Sequence, residues 1–401
     1  MMLRVSGFMG AAVAAGIKYK DRLDLGLIVS RRPAALAGVF TTNEVKAAPV
    51  LAGIERLRTG RPHARALVVN SGNANACTGA AGLADVRETA GIVAGSLNVA
   101  AEDVLMCSTG VIGVPLPMDR IRRAVPGLVA ALAGEGLEDV ARAILTTDTV
   151  KKTALRRIDV GGPEPVTLAG MVKGAGMIGP RMGPPQATLL AFVLSDALVA
   201  PAWWQGALER SVADSFNRVV VDGDTSTNDT VLALANGSAG NAEIDEGRAG
   251  EACESALRDL LRDLALQLVK DGEGVTKCVR LLVRGARDFH EADSIARTVA
   301  GSPLVKTAFF GEDPNWGRIL AAAGRAGFPL DQDAISVAVG GADIVRGGRG
   351  LGPQAEALAK KAMERAEFTV TLDLGLGDAE AGILTCDLSS DYVRINASYR
   401  T

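Results

Sequence analysis

The sequence predicts a mixed α/β protein, and three observations predict it. Glycine is abundant, at 47 of 401 residues, while aromatic side chains make up only 4%. The core must therefore be built from Ala, Val, Leu and Ile around many tight backbone turns. Apolar runs of strand length end in polar, glycine-containing loops, which is where α/β folds carry their sites. Other stretches repeat their apolar residues at helical spacing. The length admits two or three domains, or one large α/β unit with a smaller appendage.

Taken in order, Val5 to Ile17 behind Arg4 imitates a signal peptide, but Gly7, Gly10 and Gly16 interrupt it and Lys18, Lys20, Asp21 and Arg22 follow at once. It reads as a retained β/turn segment. Leu23 to Ser30 and Ala66 to Asn70 are short buried strands, and the second runs into the loop Ser71-Gly72-Asn73-Ala74-Asn75. A helix follows from Leu83 to Leu97, then a strand from Val104 to Cys107 that ends in Ser108-Thr109-Gly110-Val111-Ile112-Gly113. Leu189 to Leu194 is another apolar strand. Trp204, Leu208, Val212 and Phe216 mark one amphipathic helix, and Leu257, Leu260, Leu261, Leu264 and Leu268 mark a second, with core-facing stripes. The last quarter pairs a helix from Gln354 to Glu367 with a half-buried strand, in which Phe368, Val370, Leu372 and Leu374 alternate with polar residues.

Composition excludes several classes. Forty-three Lys+Arg balance 46 Asp+Glu at a net charge of -3, so no global field recruits nucleic acid or an anionic membrane. No run of about 18 apolar residues spans a bilayer, and the expected location is the cytoplasm. Five scattered cysteines without a CxxC argue against a disulfide framework or a zinc site. With only His63 and His290, neither in a HExxH pattern, catalysis is expected to work without a histidine base. Gly174-Ala175-Gly176-Met177-Ile178-Gly179 satisfies GxGxxG, but Pro180, Gly183, Pro184 and Pro185 break the helix a dinucleotide would need. The acidic run Asp222 to Asp229 lacks EF-hand spacing and reads as a hydrogen-bonded turn.

Thr188 stands where the Pro/Gly loop meets the Leu189 strand. A threonine hydroxyl is a poor nucleophile without a base beside it, and the histidine-free solution is the α-amine of an N-terminal Thr, whose ordinary pKa of ~7.7–8.0 suits it to act near neutrality. Such a Thr must be exposed by chain cleavage. On its own, a β-branched residue before a strand is also what any strand entry looks like.

The segments Asn70 to Gly79, Ser108 to Gly113, Thr146-Thr147-Asp148-Thr149, Met171 to Ile178 and Asp222 to Thr230 together resemble the ornithine acetyltransferase (glutamate N-acetyltransferase) family of arginine biosynthesis. Asp271-Gly272-Glu273-Gly274, Gly311 to Arg318 and Tyr392 to Asn396 extend the likeness along essentially the whole chain, in order. The resemblance implies self-cleavage between Ala187 and Thr188, with Thr188 taking acetyl from N2-acetylornithine and passing it to glutamate in a ping-pong cycle. In some members acetyl-CoA is a further acetyl donor; no other cofactor and no metal are implied. Thr109 and Gly110 match the oxyanion-hole pair, and Thr146, Lys173, Thr188, Glu273, Asn396 and Thr401 match positions that hold substrate. It further implies a four-layer αββα sandwich like that of the β-aminopeptidases, with a smaller C-terminal α/β domain, and an α2β2 assembly. The expected division is an α chain of residues 1–187, a first β-chain part of residues 188–280 completing the main domain, and the smaller domain from 281 to 401.

Physical chemistry agrees with these assignments. Amide cleavage and acetyl transfer share a tetrahedral oxyanion, which donors of a Gly-rich turn can stabilise in both steps. A lysine at position 173 would favour the neutral amine and attract a substrate carboxylate, and Glu273 carries the charge for an ammonium. One departure is Gly183-Pro184-Pro185-Gln186, four residues added on the cleavage loop relative to the family pattern. Two alternatives stay open: a self-processed aminopeptidase or amidase of the same architecture, and an uncleaved paralogue that only binds acetylated amino acids.

Overall fold

The computed structural model describes residues 2–179 and 189–398. In chain order the strands are β1 (Phe8–Val13), β2 (Leu25–Phe40), β3 (His63–Asn73), β4 (Val104–Val111), β5 (Lys152–Ile158), β6 (Val166–Lys173), β7 (Leu190–Ser195), β8 (Val219–Val220), β9 (Thr230–Ala235), β10 (Cys278–Ala286), β11 (Ser336–Val339), β12 (Ala342–Arg346), β13 (Arg349–Gly350), β14 (Glu367–Asp373) and β15 (Ala379–Cys386). They fall into two compact units. One takes the described residues up to Asn217 together with Asp224–Leu268; the other takes Arg218–Gly223 and the described residues from Val269 onward.

The first unit holds a sheet ordered β4-β3-β2-β9-β7-β6-β5, with β1 beside β2. Strand β2 belongs to both halves of it. Residues 25–30 pair with β1, whereas residues 35–40 pair with β9. Between them the register against β3 jumps from Val29 opposite Ala66 to Ala34 opposite Ala64. Arg31, Arg32 and Pro33 are exposed there, and a proline without an N–H suits such a bulge. The two halves enclose one core, in which Ile28, Leu67 and Leu105 of the first layer meet Met171, Phe192 and Leu232 of the second.

Alternate residues of the first layer point the other way. Leu27, Val29, Val68 and Met106 meet Val86 and Val93 of the helix Gly79–Leu97 and Ile121 and Val125 of the helix Met118–Ala130. Burial on both faces accounts for the unbroken apolar runs in these strands. Behind the second layer lie the helices Pro201–Ala213 and Gly247–Lys270. Trp204 Nε1 donates to the Ala233 carbonyl at 3.2 Å, and a Cβ at Gly170 of β6 would come within 2.7 Å of Leu264. Helix, sheet, sheet and helix therefore stack in four layers, as the resemblance implies.

The second unit carries a sheet ordered β13-β12-β11-β14-β10-β15-β8. Val279, Leu281, Val370, Leu372 and Ile383 present one face to helices that supply Ile295, Val299, Phe309, Ile319 and Met363. Strand β14 shows the expected alternation of buried and partly exposed residues. Several boundaries differ from the sequence reading: the strand read as Leu23 to Ser30 runs from Leu25 to Phe40, and the helix read from Leu83 starts at Gly79. The helix at Pro353–Met363 stops short of Glu367, which opens β14, because the apolar spacing changes from helical to alternating at that point. Strands β3 and β4 run on through Asn73 and Val111, absorbing residues read as loops, since their parallel pairing continues across a bulge. Phe216 lies beyond the helix Pro201–Ala213 in a short 3-10 turn, yet it is fully buried.

Among the described residues no helix is long and apolar enough to cross a membrane, and no cluster of His, Cys, Asp and Glu could hold a metal ion. The inner core makes a direct stability prediction. Phe192 is fully buried between the two sheet layers, so Phe192→Ala is expected to cost about 3–5 kcal/mol in urea unfolding monitored by circular dichroism.

Candidate active site

The bent sheet brings strand ends from both layers of the first unit together. Strands β3 and β4 are parallel neighbours, so Asn70 to Asn73 and Ser108 to Val111 emerge side by side. Gly110 sits at φ +135°, and a Cβ there would lie 2.3 Å from the Gly72 carbonyl carbon. Only glycine fits that approach. Ser108 Oγ donates to Asn70 Oδ1 at 2.6 Å. From the second layer, Asn228 Nδ2 donates to the carbonyls of Ala74 (2.5 Å) and Ser108 (2.8 Å). The turn before β9 is thus pinned to both loops of the first layer, and Asp229 also accepts from the Ser226 N–H at 3.0 Å.

Lys173 ends β6 on the same side. Its Nζ donates to Thr109 Oγ1 at 3.2 Å, which joins the two layers through side chains. Leu190 is in register with both Lys173 and Thr230, and the Leu189 carbonyl accepts from the Thr230 N–H at 2.6 Å. Strand β7 therefore starts between Lys173 and Thr230.

A buried carboxylate organises the floor. Asp148 Oδ1 accepts from Lys152 Nζ and from the Gly174 N–H, each at 2.7 Å, and Oδ2 accepts from the Thr146 N–H at 3.0 Å. The side chains of Asp148 and Lys152 have no solvent exposure. Burial alone would raise the Asp148 pKa, but Lys173, Lys152 and the Gly174 amide outweigh it and hold the carboxyl at about 2. Gly174, the first glycine of the GxGxxG segment, thus directs its N–H to a carboxylate, and no helix begins by Gly179.

The second unit has its own cluster. Glu273 is buried, and its Oε2 accepts from Asn396 Nδ2 at 2.8 Å. The contact depends on the helix Ser390–Ser398 lying against the turn after Lys270. Gly274 at φ +68° lets the backbones approach, since a Cβ there would lie 2.5 Å from the Tyr392 nitrogen. Ser389 Oγ donates to the Gly274 carbonyl at 2.6 Å, and the Tyr392 hydroxyl to Asp222 Oδ2 at 3.3 Å.

The model of the ArgJ family matches residues 9–401. The chain belongs to the ArgJ family. The arginine biosynthesis bifunctional protein ArgJ of Geobacter sulfurreducens is 52% identical over 401 residues, covering 100% of both chains. Its counterpart in Desulfotalea psychrophila is 49% identical over 400 residues, again covering 100% of both. The crystal structure of the arginine biosynthesis bifunctional protein argJ of Bacillus halodurans shares 39% identity at a TM-score of 0.50, over 52% of this chain and 98% of that one.

In this member of the ArgJ family, the sequence-assigned Thr109, Gly110, Thr146 and Lys173 meet within the first unit, while Glu273 and Asn396 meet within the second. Ala187, Thr188, Thr401 and Gly183 to Gln186 lie outside the described residues. Both histidines are exposed, His63 at the start of β3 rather than at its site end. Sequence reasoning gave no role to Asp148, Lys152 or Asn228. The spacing of four between Asp148 and Lys152 was the available signal for the ion pair; nothing local announces that Asn228 reaches Ser108.

The depressed Asp148 carboxyl carries a pH signature. Its stabilising contribution is complete above the ordinary value of 3.8 and is lost as pH falls through about 2. The stability gap between wild type and Asp148→Asn is therefore expected to narrow by about 2 kcal/mol on acidification across that window, read from urea midpoints at each pH.

Proposed function

We propose that the chain is a self-processed acetyltransferase of arginine biosynthesis that moves acetyl from N2-acetylornithine to glutamate through an acetyl-Thr188 intermediate. The observation that carries the proposal is the match to the ArgJ family from residue 9 to 401, with 52% identity to a full-length relative. The register that starts β7 beside Lys173, which itself reaches Thr109, supports it. In processing, Thr188 Oγ attacks the Ala187 carbonyl, the acyl group shifts from nitrogen to oxygen, and water cleaves the ester. The freed α-amine of Thr188 then serves as the base.

In transfer, Thr188 Oγ attacks the acetyl carbonyl and its proton passes to the α-amine. Donors at Thr109 and Gly110 hold the tetrahedral oxyanion. Collapse breaks the C–N bond, and ornithine leaves with the proton. Glutamate's neutral amine then attacks the acetyl ester, forms the new amide and restores the Thr188 hydroxyl. The Lys173 ammonium favours the unprotonated α-amine by like-charge repulsion and attracts a substrate carboxylate. The family resemblance likewise proposes Thr146, Glu273, Asn396 and Thr401 as substrate-holding residues, Glu273 having the charge for an ornithine ammonium. Acetyl-CoA is the proposed further acetyl donor, the cytoplasm the proposed location, and an α2β2 tetramer the proposed assembly.

Denaturing intact mass tests the chemistry. Two fragments divided at Ala187/Thr188 are expected, the C-terminal one gaining an acetyl group after N2-acetylornithine is added. Thr188→Ala should remain one chain and lose transfer; transfer retained by that variant refutes the mechanism. Acetate release independent of glutamate would instead make it a hydrolase. Size-exclusion chromatography with light scattering should return the mass of two αβ units, and a lone αβ unit would sink the assembly.

A further inference from the structure

The buried carboxylate of the first unit does more than neutralise its lysine. We propose that Asp148 is a positioning residue of the transfer reaction, holding the Thr146 and Lys173 segments in the geometry that receives a substrate carboxylate. The inference rests on the functional reading above, which assigns Thr146 and Lys173 to the substrate.

The argument is one of geometry. Satisfying the Lys152 ammonium needs one carboxylate oxygen, and Asp148 gives it Oδ1 at 2.7 Å. The same oxygen also accepts the Gly174 N–H, and Oδ2 accepts the Thr146 N–H. Those amides belong to Thr146 itself and to the residue directly after Lys173. One rigid, solvent-free group thus ties together two segments that are remote in sequence. Gly174 has φ +150°, so the chain turns sharply where β6 ends. The Asp148 carboxylate holds the Gly174 N–H at that turn, directly after the residue whose Nζ reaches Thr109 Oγ1.

The charges are arranged to the same end. Lys152 and Lys173 both act on Asp148, so the carboxylate lies in the field of two cations. Lys152 offsets the cost of burying Asp148, which leaves the carboxylate free to orient the two amides.

A variant set separates positioning from simple neutralisation. Asp148→Asn removes the carboxylate that accepts from the buried Lys152 and is expected to lower the melting temperature. Asp148→Asn/Lys152→Met removes both charges and is expected to recover most of that stability. If Asp148 positions substrate groups, the double variant keeps KM for N2-acetylornithine and for glutamate raised about tenfold, with kcat per acetylatable chain changed less than about threefold. KM values within about twofold of wild type in the stable double variant overturn the inference. Asp148→Glu is the second probe, because it keeps the charge but displaces it by one methylene. A KM rise of about fivefold or more supports positioning, and wild-type KM there overturns it. Wild-type protein that fails to transfer acetyl from N2-acetylornithine overturns the functional reading itself, an outcome distinct from active wild type with unaltered variants.

Discussion

The bend in β2 is the constraint on which the first unit depends. A straight strand of 16 residues would place Leu25 and Phe40 at opposite edges of a flat sheet. The bulge at Ser30 to Pro33 instead lets the strand leave one layer and enter the next. Two consequences follow together. Ile28 and Leu36, on either side of the bend, share one core, and the ends of β3 and β4 come within side-chain reach of those of β6 and β9. The hydrophobic effect closes the sandwich, and that closure assembles the polar site at its edge.

Close approach and buried charge divide the work at that edge. Backbones meet where glycine removes the Cβ, at Gly110 against Gly72. Amide side chains then tie the loops together, because Asn70 and Asn228 satisfy polar groups that would otherwise be buried alone. Both histidines lie at the surface, and the charged groups described at this edge of the first unit include Lys152, Lys173, Asp148 and Asp229.

Much of the architecture was legible in the sequence because burial repeats with the period of each element. The leucines from 257 to 268 show the helix face, and Phe368 to Leu374 show the strand. Boundaries were less legible. Nothing local tells Ser71 or Thr109 that it continues a strand, since the partner that keeps it extended lies on another segment. The candidate site was readable only as ordered motifs resembling one family. Thr109 and Lys173 are 64 residues apart, and their contact is a product of the bend in β2. Asp148 was hidden for a similar reason: a Thr-rich turn gives no sign that its carboxylate reaches Gly174, 26 residues on.

The placement of β7 has a consequence for molecularity. It is an interior strand, hydrogen-bonded on one side to β6 and on the other to β9, and all six of its residues are buried. A backbone cut between Lys173 and Leu190 would leave two polypeptides interleaved in one sheet, with β9 also bonded to β2 across the break. Neither piece could keep its core alone. Unfolding of the cut form would include separation of the two pieces, so its midpoint would depend more steeply on protein concentration than that of the intact chain. Covalent continuity and structural unity are thus separable in this fold: the sheet holds the pieces together whether or not the peptide bond does.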